Sequence, residues 1–88
     1  MLYEPQEDSY LMAEAIRKLK PKGKVLDLGC GTGILGAEAA KTAESVLAVD
    51  KDKEAVEYAR KHHKNLEVVQ SSYFTNVKEK FDLIINNP

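Results

Sequence analysis

Val25-Leu26-Asp27-Leu28-Gly29-Cys30-Gly31-Thr32-Gly33 is the stretch on which the reading of this chain turns. Val25 to Leu28 has the make-up of a short buried strand, and the glycines at 29, 31 and 33 form a tight turn directly after it. Glycine there tolerates positive φ and lets a ligand lie against the backbone with no Cβ in the way. Ile34 to Thr42 follows as an alanine-rich helix, small enough in side chain to lie close on a sheet. Strand, turn and helix in that order aim unpaired N–H groups and the positive end of a helix dipole at one point, which favours a carboxylate or phosphate there.

Outward from this stretch the chain alternates helical and extended patterns, without repeats, low-complexity tracts or linkers. Upstream, between Asp8 and Leu19, Met12, Ile16 and Leu19 recur at helical spacing and predict one apolar face. Lys20-Pro21-Lys22-Gly23 then stops that helix. Downstream, Ser45-Val46-Leu47-Ala48-Val49 is a second strand ending at Asp50. Residues 53–64 read as a helix with Ala55, Val56 and Ala59 on one face and Asp52 as its N-cap. Leu66-Glu67-Val68-Val69 gives a third strand, and a polar loop around Ser71, Ser72, Asn76 and Lys78 follows. Phe81-Asp82-Leu83-Ile84-Ile85 is a fourth strand, ending at Asn86-Asn87-Pro88. The expected fold is therefore α/β, with about four parallel strands and helices on both faces of the sheet. Right-handed crossovers gather ligand sites at the carboxyl ends of such strands, where the glycine turn, Asp50 and Asn87 all fall.

Length and composition set the bounds. The 88 residues allow one domain at most, with 43% hydrophobic and 31% charged residues, the balance of a globular chain rather than a disordered one. No apolar run approaches the roughly 20 residues of a membrane span. Met1-Leu2-Tyr3-Glu4-Pro5 lacks the basic and apolar regions of a signal peptide, so the expectation is a cytoplasmic protein that does not engage a membrane. Cys30 is the sole cysteine, which excludes an internal disulfide. A formal net charge of −1 gives no global reason for tight nucleic-acid binding. The basic run Arg60-Lys61-His62-His63-Lys64 reads as the solvated end of a helix, where positive charge complements the dipole. His62 and His63 point in different directions on a helix and have no nearby Cys or His, so no metal site is expected.

Gly31-x-Gly33-x-x-Gly36 is formally a dinucleotide fingerprint, and Asp50 stands close to the position of its ribose-binding acid. Asp27 counts against that reading, because a carboxylate beside a pyrophosphate repels it. The full segment Val25 to Gly33 resembles the first motif of the class I S-adenosylmethionine-dependent methyltransferases. That ligand carries an ammonium and a sulfonium and no phosphate, which suits an acid at the strand end. The resemblance implies a Rossmann-like fold of which residues 1–88 are the N-terminal, cofactor-binding part. It assigns Asp27, Gly29, Cys30, Gly31, Thr32, Gly33, Asp50 and Lys51 to the cofactor, with Asp50 accepting from the ribose hydroxyls. Cys30 reads as a small residue in a cramped turn rather than a nucleophile, since no general base for it is apparent.

Asn87-Pro88 looks like the beginning of the Asn-Pro-Pro-Tyr motif of methyltransferases that modify planar nitrogens, and is taken as catalytic. Such a nitrogen has a delocalised lone pair. An Asn side-chain oxygen and a following backbone carbonyl can accept its two N–H bonds and aim it at the sulfonium methyl, so that positioning does most of the work. Tyr3-Glu4-Pro5-Gln6-Glu7-Asp8-Ser9 resembles the signature of the archaeal and eukaryotic HemK-like glutamine methyltransferases, which places Ser9 near the methionine end of the cofactor. Capping of the first helix by Asp8 or Ser9 is the plainer role for that segment, and both can hold. The subfamily implies a release-factor glutamine as substrate and a small zinc-binding activator subunit as partner. Two departures stand out. Ser72 occupies the place of the usual adenine-binding Asp, with Tyr73 or Phe74 as candidates to pack on the ring. The motif also breaks off after its first Pro, so the family's seven strands are expected to number four here, with a bare fourth strand open to self-association. Nucleic-acid amino methylation, and a fragment that binds cofactor without catalysis, remain open as alternatives.

Overall fold

A computed structural model of the chain describes residues 7–72 and 80–86. Its elements run α1 (Glu7–Leu19), β1 (Lys24–Leu28), α2 (Ile34–Ala39), β2 (Ser45–Asp50), α3 (Lys53–His62), β3 (Glu67–Gln70) and β4 (Leu83–Asn86). The four strands form one parallel sheet in the order β3-β2-β1-β4. Val25, Val46 and Leu83 lie side by side in register, as do Asp27, Ala48, Ile85 and Val68.

Because side chains alternate across a strand, this register sorts the sheet into two faces. One face carries Val25, Val46 and Ile85 under Ala13 and Ile16 of α1 and Leu35 and Ala39 of α2. The same face continues as Ala48 and Val68 under Val56 and Ala59 of α3. The other face carries Leu26, Leu28, Leu47 and Val49, with Phe81 packed against them. All three described helices thus cover a single face, which corrects the expectation of helices on both. For α2 and α3 the cause is the unbroken sequence β1-β2-β3 across the sheet, since right-handed crossovers that all step the same way put every connecting helix on the same side; α1, which precedes β1, packs beside α2 on that face.

Local chemistry accounts for the element ends. Asp52 caps α3, its side chain accepting from the Glu54 N–H at 2.9 Å. Lys20, at φ 50°, closes α1 with its N–H on the Ile16 carbonyl. α1 begins at Glu7, so Asp8 and Ser9 sit inside its first turn rather than at its cap. Leu19 is 62% exposed, against expectation. The buried stripe of α1 is Ser9, Ala13 and Ile16, and at 100° per residue Leu19 lies roughly 90° around the helix from its centre. Asp82 anchors the start of β4, its carboxylate accepting from the Lys24 N–H while its own N–H reaches the Lys24 carbonyl.

Arg60 also differs from its expected role. Its Nε and a terminal guanidinium nitrogen both donate to the Val68 carbonyl of the edge strand β3, at 3.1 and 2.9 Å. The residue therefore satisfies an edge carbonyl that a neighbouring chain could otherwise pair with. At the opposite edge, β4 presents Ile84 48% exposed. Among the described residues no helix is long and apolar enough to cross a membrane.

Candidate functional site

Three strand ends supply the site. β1 leads into a turn in which Gly29, Gly31 and Gly33 take φ of 67°, 51° and 85°. The turn is tied to β2 by Cys30 N–H on the Val49 carbonyl and closed by Gly33 N–H on the Cys30 carbonyl, at 2.9 and 2.8 Å. A Cβ at Gly31 would meet no atom within 4 Å, so its backbone faces open space that a ligand can enter. Gly33 is different: a Cβ there would fall 2.7 Å from Cδ2 of His63 and 3.3 Å from Cβ of Ala59. One glycine keeps the turn accessible, and the other lets it dock on the end of α3. Thr32 is buried, and its hydroxyl oxygen accepts from the Ile34 N–H at 3.4 Å.

Asp50 clamps the turn from the end of β2. Its Oδ2 accepts from the Gly31 N–H at 3.0 Å and its Oδ1 from the Asp52 N–H at 2.9 Å. A carboxylate has about four lone-pair positions, so each oxygen can still accept a hydroxyl proton. β3 supports this corner through Ser71, whose N–H donates to the Asp50 carbonyl at 2.9 Å. Gln70 adds a side-chain bond from Nε2 to the Lys51 carbonyl at 3.1 Å.

Asp27 sits on the same sheet face as Asp50 and is wholly buried. Its Oδ2 accepts from the Gly36 N–H at 3.1 Å, and its Oδ1 has no partner among the described residues. Burial pushes the Asp27 carboxyl up to about 7; the Gly36 N–H pulls it back, and the charge of Asp50 adds to the rise. Burial, then Asp27 and Asp50, likewise push the Cys30 thiol up to about 12. A thiol held that high carries almost no thiolate at neutral pH and is a poor nucleophile.

The structure therefore gathers Asp27, Gly29 to Gly33 and Asp50 into one corner, with Lys51 next in the chain after Asp50. Ser72 is exposed just beyond the end of β3, and Ser9 is buried in the first turn of α1. Asn87 and Pro88, Tyr3 to Gln6, and Tyr73 and Phe74 lie outside the described residues. His62 and His63 diverge: the first stacks on Tyr58 with ring centroids 4.0 Å apart, and the second lies against Gly33. Two pairings escaped the sequence reading. Gly36 was visible as the third glycine of the fingerprint, but nothing marked Asp27, nine residues away, as its partner. His63 carried no signal at all.

What the corner can accept follows from its charge. Two acidic side chains lie at it, one of them buried with an oxygen unpaired among the described residues, and that combination suits a cation and opposes a pyrophosphate. The residues present thus fit a ligand with a cationic end and vicinal hydroxyls. The sequence model of the methyltransferase small domain family matches residues 5–88. The chain belongs to that family. Class I methyltransferases of this kind use S-adenosylmethionine.

Among relatives, the methyltransferase of ribosomal protein L11 from Thermosipho africanus is 46% identical over 83 residues, covering 88% of this chain and 32% of its own length. A Methanocaldococcus jannaschii protein named for N5-glutamine methyl transfer is 38% identical, covering 99% of this chain and 46% of its own length. The chain thus spans less than half the length of either. Solved methyltransferases share the fold. The ribosomal protein L11 methylase of Lactobacillus delbrueckii subsp. bulgaricus superposes with a TM-score of 0.83 at 28% identity, over 94% of this chain and 47% of that one. A tRNA (uracil-54, C5)-methyltransferase of Pyrococcus abyssi, solved with S-adenosyl-L-homocysteine, gives 0.72 at 27% identity, over 91% of this chain and 22% of that one.

Proposed function

We propose that residues 1–88 form the cofactor-binding part of a single methyltransferase domain that methylates a planar amide or amine nitrogen, with a release-factor glutamine as substrate. The observation that carries this reading is the position of β4. Asn86 ends that strand in register with Leu28, the residue that opens the glycine turn, and Asn87-Pro88 follow it in the sequence. The strand that leads in sequence to Asn87-Pro88 therefore ends at the same sheet end as the cofactor corner, which supports reading them as a nitrogen-binding motif. The signature from Tyr3 to Ser9 and the similarity to the M. jannaschii protein support glutamine as that nitrogen.

In this reading S-adenosylmethionine supplies an electrophilic methyl on a sulfonium. Asp50 accepts from the ribose hydroxyls while holding the Gly31 and Asp52 N–H groups, with Lys51 beside it and Ser72 toward the adenine. Gly29, Cys30, Gly31, Thr32 and Gly33 give the backbone its close approach, and Asp27 complements the cationic end, with Ser9 nearby. Asn87 and the carbonyl of Pro88 hold the substrate N–H bonds, so that orientation rather than a base with a shifted pKa promotes transfer. A small zinc-binding activator subunit is the proposed partner, and the cytoplasm the proposed compartment.

Calorimetric titration tests the cofactor assignment. S-adenosylhomocysteine should bind, an Asp50→Ala variant should bind it at least tenfold more weakly, and a nicotinamide dinucleotide should not bind. Radiolabel transfer then tests the substrate, with release factor and ribosomal RNA offered in parallel and the methyl located by mass spectrometry. Label confined to the RNA would overturn the glutamine reading in favour of nucleic-acid amino methylation.

A further inference from the structure

The orphaned oxygen of Asp27 raises the question of what balances that side chain before a ligand arrives. Among the described residues, no element packed around it supplies a free counter-charge. β2 offers Asp50, which is negative, on the same face two residues beyond the register partner Ala48. β4 offers Ile85 and no titratable group. The turn offers the Cys30 thiol, neutral at any ordinary pH. α2 offers only Glu38, whose carboxylate is bound at 3.1 Å by Arg17 of α1 and at 3.1 Å by Lys41. Lys18 of α1 is engaged with Glu14. His63, beyond the end of α3, lies against Gly33 on the turn. A wholly buried carboxylate with a single N–H bond, a like charge nearby and no cation beside it among the described residues is costly in ionised form.

We propose that Asp27 is a proton-for-cation exchange site: it holds a proton in the ligand-free chain and releases it when the ammonium end of the cofactor takes its place as counter-charge. This rests on the cofactor reading above and adds to it a stoichiometry. The O–H bond of the Asp27 carboxyl breaks, its proton goes to solvent, and the carboxylate left behind pairs with the incoming ammonium. Charge in the corner is unchanged by the exchange, and no oxidant or co-reactant enters. A free-state pKa of about 7 makes the exchange visible in the neutral range, since the carboxyl is mostly protonated at pH 6 and mostly ionised at pH 8. Affinity for a cationic ligand must then rise with pH through this window, because at low pH the proton competes with it.

The experiment is titration of the chain with S-adenosylhomocysteine at pH 6 and pH 8, in buffers of different ionisation enthalpy. At pH 6 the slope of observed enthalpy against buffer enthalpy should report release of about 0.9 proton per ligand, and at pH 8 about 0.1; the dissociation constant should fall about tenfold between them. Asp27→Asn should abolish the release, and His63→Gln should keep it. Infrared spectroscopy of the unaltered chain gives a second reading: a protonated-carboxyl band at pH 6 that disappears on adding the ligand. Binding with equal affinity at both pH values and no buffer dependence would overturn the exchange while leaving the cofactor site standing. Release that survives in Asp27→Asn, or is lost in His63→Gln, would overturn the assignment to Asp27. Absence of binding at either pH would overturn the cofactor reading itself, and the exchange with it.

Discussion

Replacing Asp27 by Asn should make the ligand-free chain more stable at alkaline pH, at the expense of the site. In the folded chain the Asp27 carboxyl is raised to about 7 from an ordinary value of 3.8. The sign follows from proton counting. Between those two values the folded state holds a proton that the unfolded state has lost, so stability falls as pH rises through the window and stays low above it. At about 1.36 kcal/mol per pH unit the full penalty is about 4 kcal/mol, and the part developing between pH 5 and 8.5 is about 3 kcal/mol. Asn keeps an oxygen for the Gly36 N–H but buries an unpaired amide, a cost of about 1–3 kcal/mol that does not vary with pH. The two chains should therefore be of similar stability near pH 5, and the variant the more stable by roughly 1–3 kcal/mol at pH 8.5. Urea unfolding at several pH values, followed by circular dichroism, gives the difference directly, and other titrating groups cancel in it. A difference that stays constant from pH 5 to 8.5 would refute the claim that burial keeps Asp27 protonated.

Other perturbations isolate single contacts. Gly33→Ala combines an unfavourable φ of 85° with overlap on His63 and should cost roughly 2–5 kcal/mol; in a His63→Ala background that overlap is relieved and roughly 1–2 kcal/mol, from φ strain and the close contact with Ala59, should remain, a non-additivity that a double-mutant cycle reads out. Cys30, buried and with its thiol raised to about 12, should react with iodoacetamide at pH 8 only as fast as the chain opens, and rapid labelling of the folded chain would contradict its inert role. Glu38 is held below its usual carboxylate value, first by the Arg17 hydrogen bond. Its contribution is present above the unfolded value and lost as pH falls through the folded one, so Glu38→Gln should lower the urea midpoint at pH 7 and match the parent chain once acid protonates Glu38.

Much of this was legible before any coordinates. Strong hydrophobic runs at 25–28 and 45–49 left no alternative to buried strands, and the glycines between them fixed a turn where Asp50 could reach it. The element ends at Asp52 and Lys20-Pro21 followed from capping and breaker chemistry. What could not be read depends on how elements sit against one another. Leu19 has the right spacing from Ile16 and still faces solvent, because spacing gives a face but not where a neighbouring element covers it. Arg60 belongs to a basic run that composition assigns to water, yet its guanidinium finds the Val68 carbonyl across eight residues of chain. Helices on one face rather than two follow from strand order, and local sequence does not state strand order.

The adjacency of β1, β2 and β3, both along the chain and across the sheet, also divides the molecule in time. Lys24 meets Ser45 across a connection of 20 residues that contains α2, whereas Val25 meets Leu83 only across 57 residues. Closing the longer loop costs about 1 kcal/mol more in entropy, and β4 recovers it through one four-residue pairing at an edge. Residues 24–72, which hold the glycine turn and both acids, can therefore collapse into a working scaffold first, with the strand that leads into Asn87 and Pro88 docking afterward. Amide exchange should reveal this as faster opening at Leu83–Asn86 than at Val25–Leu28. On a ribosome the same order would let the glycine turn and its two acids form while β4 was still within the exit tunnel.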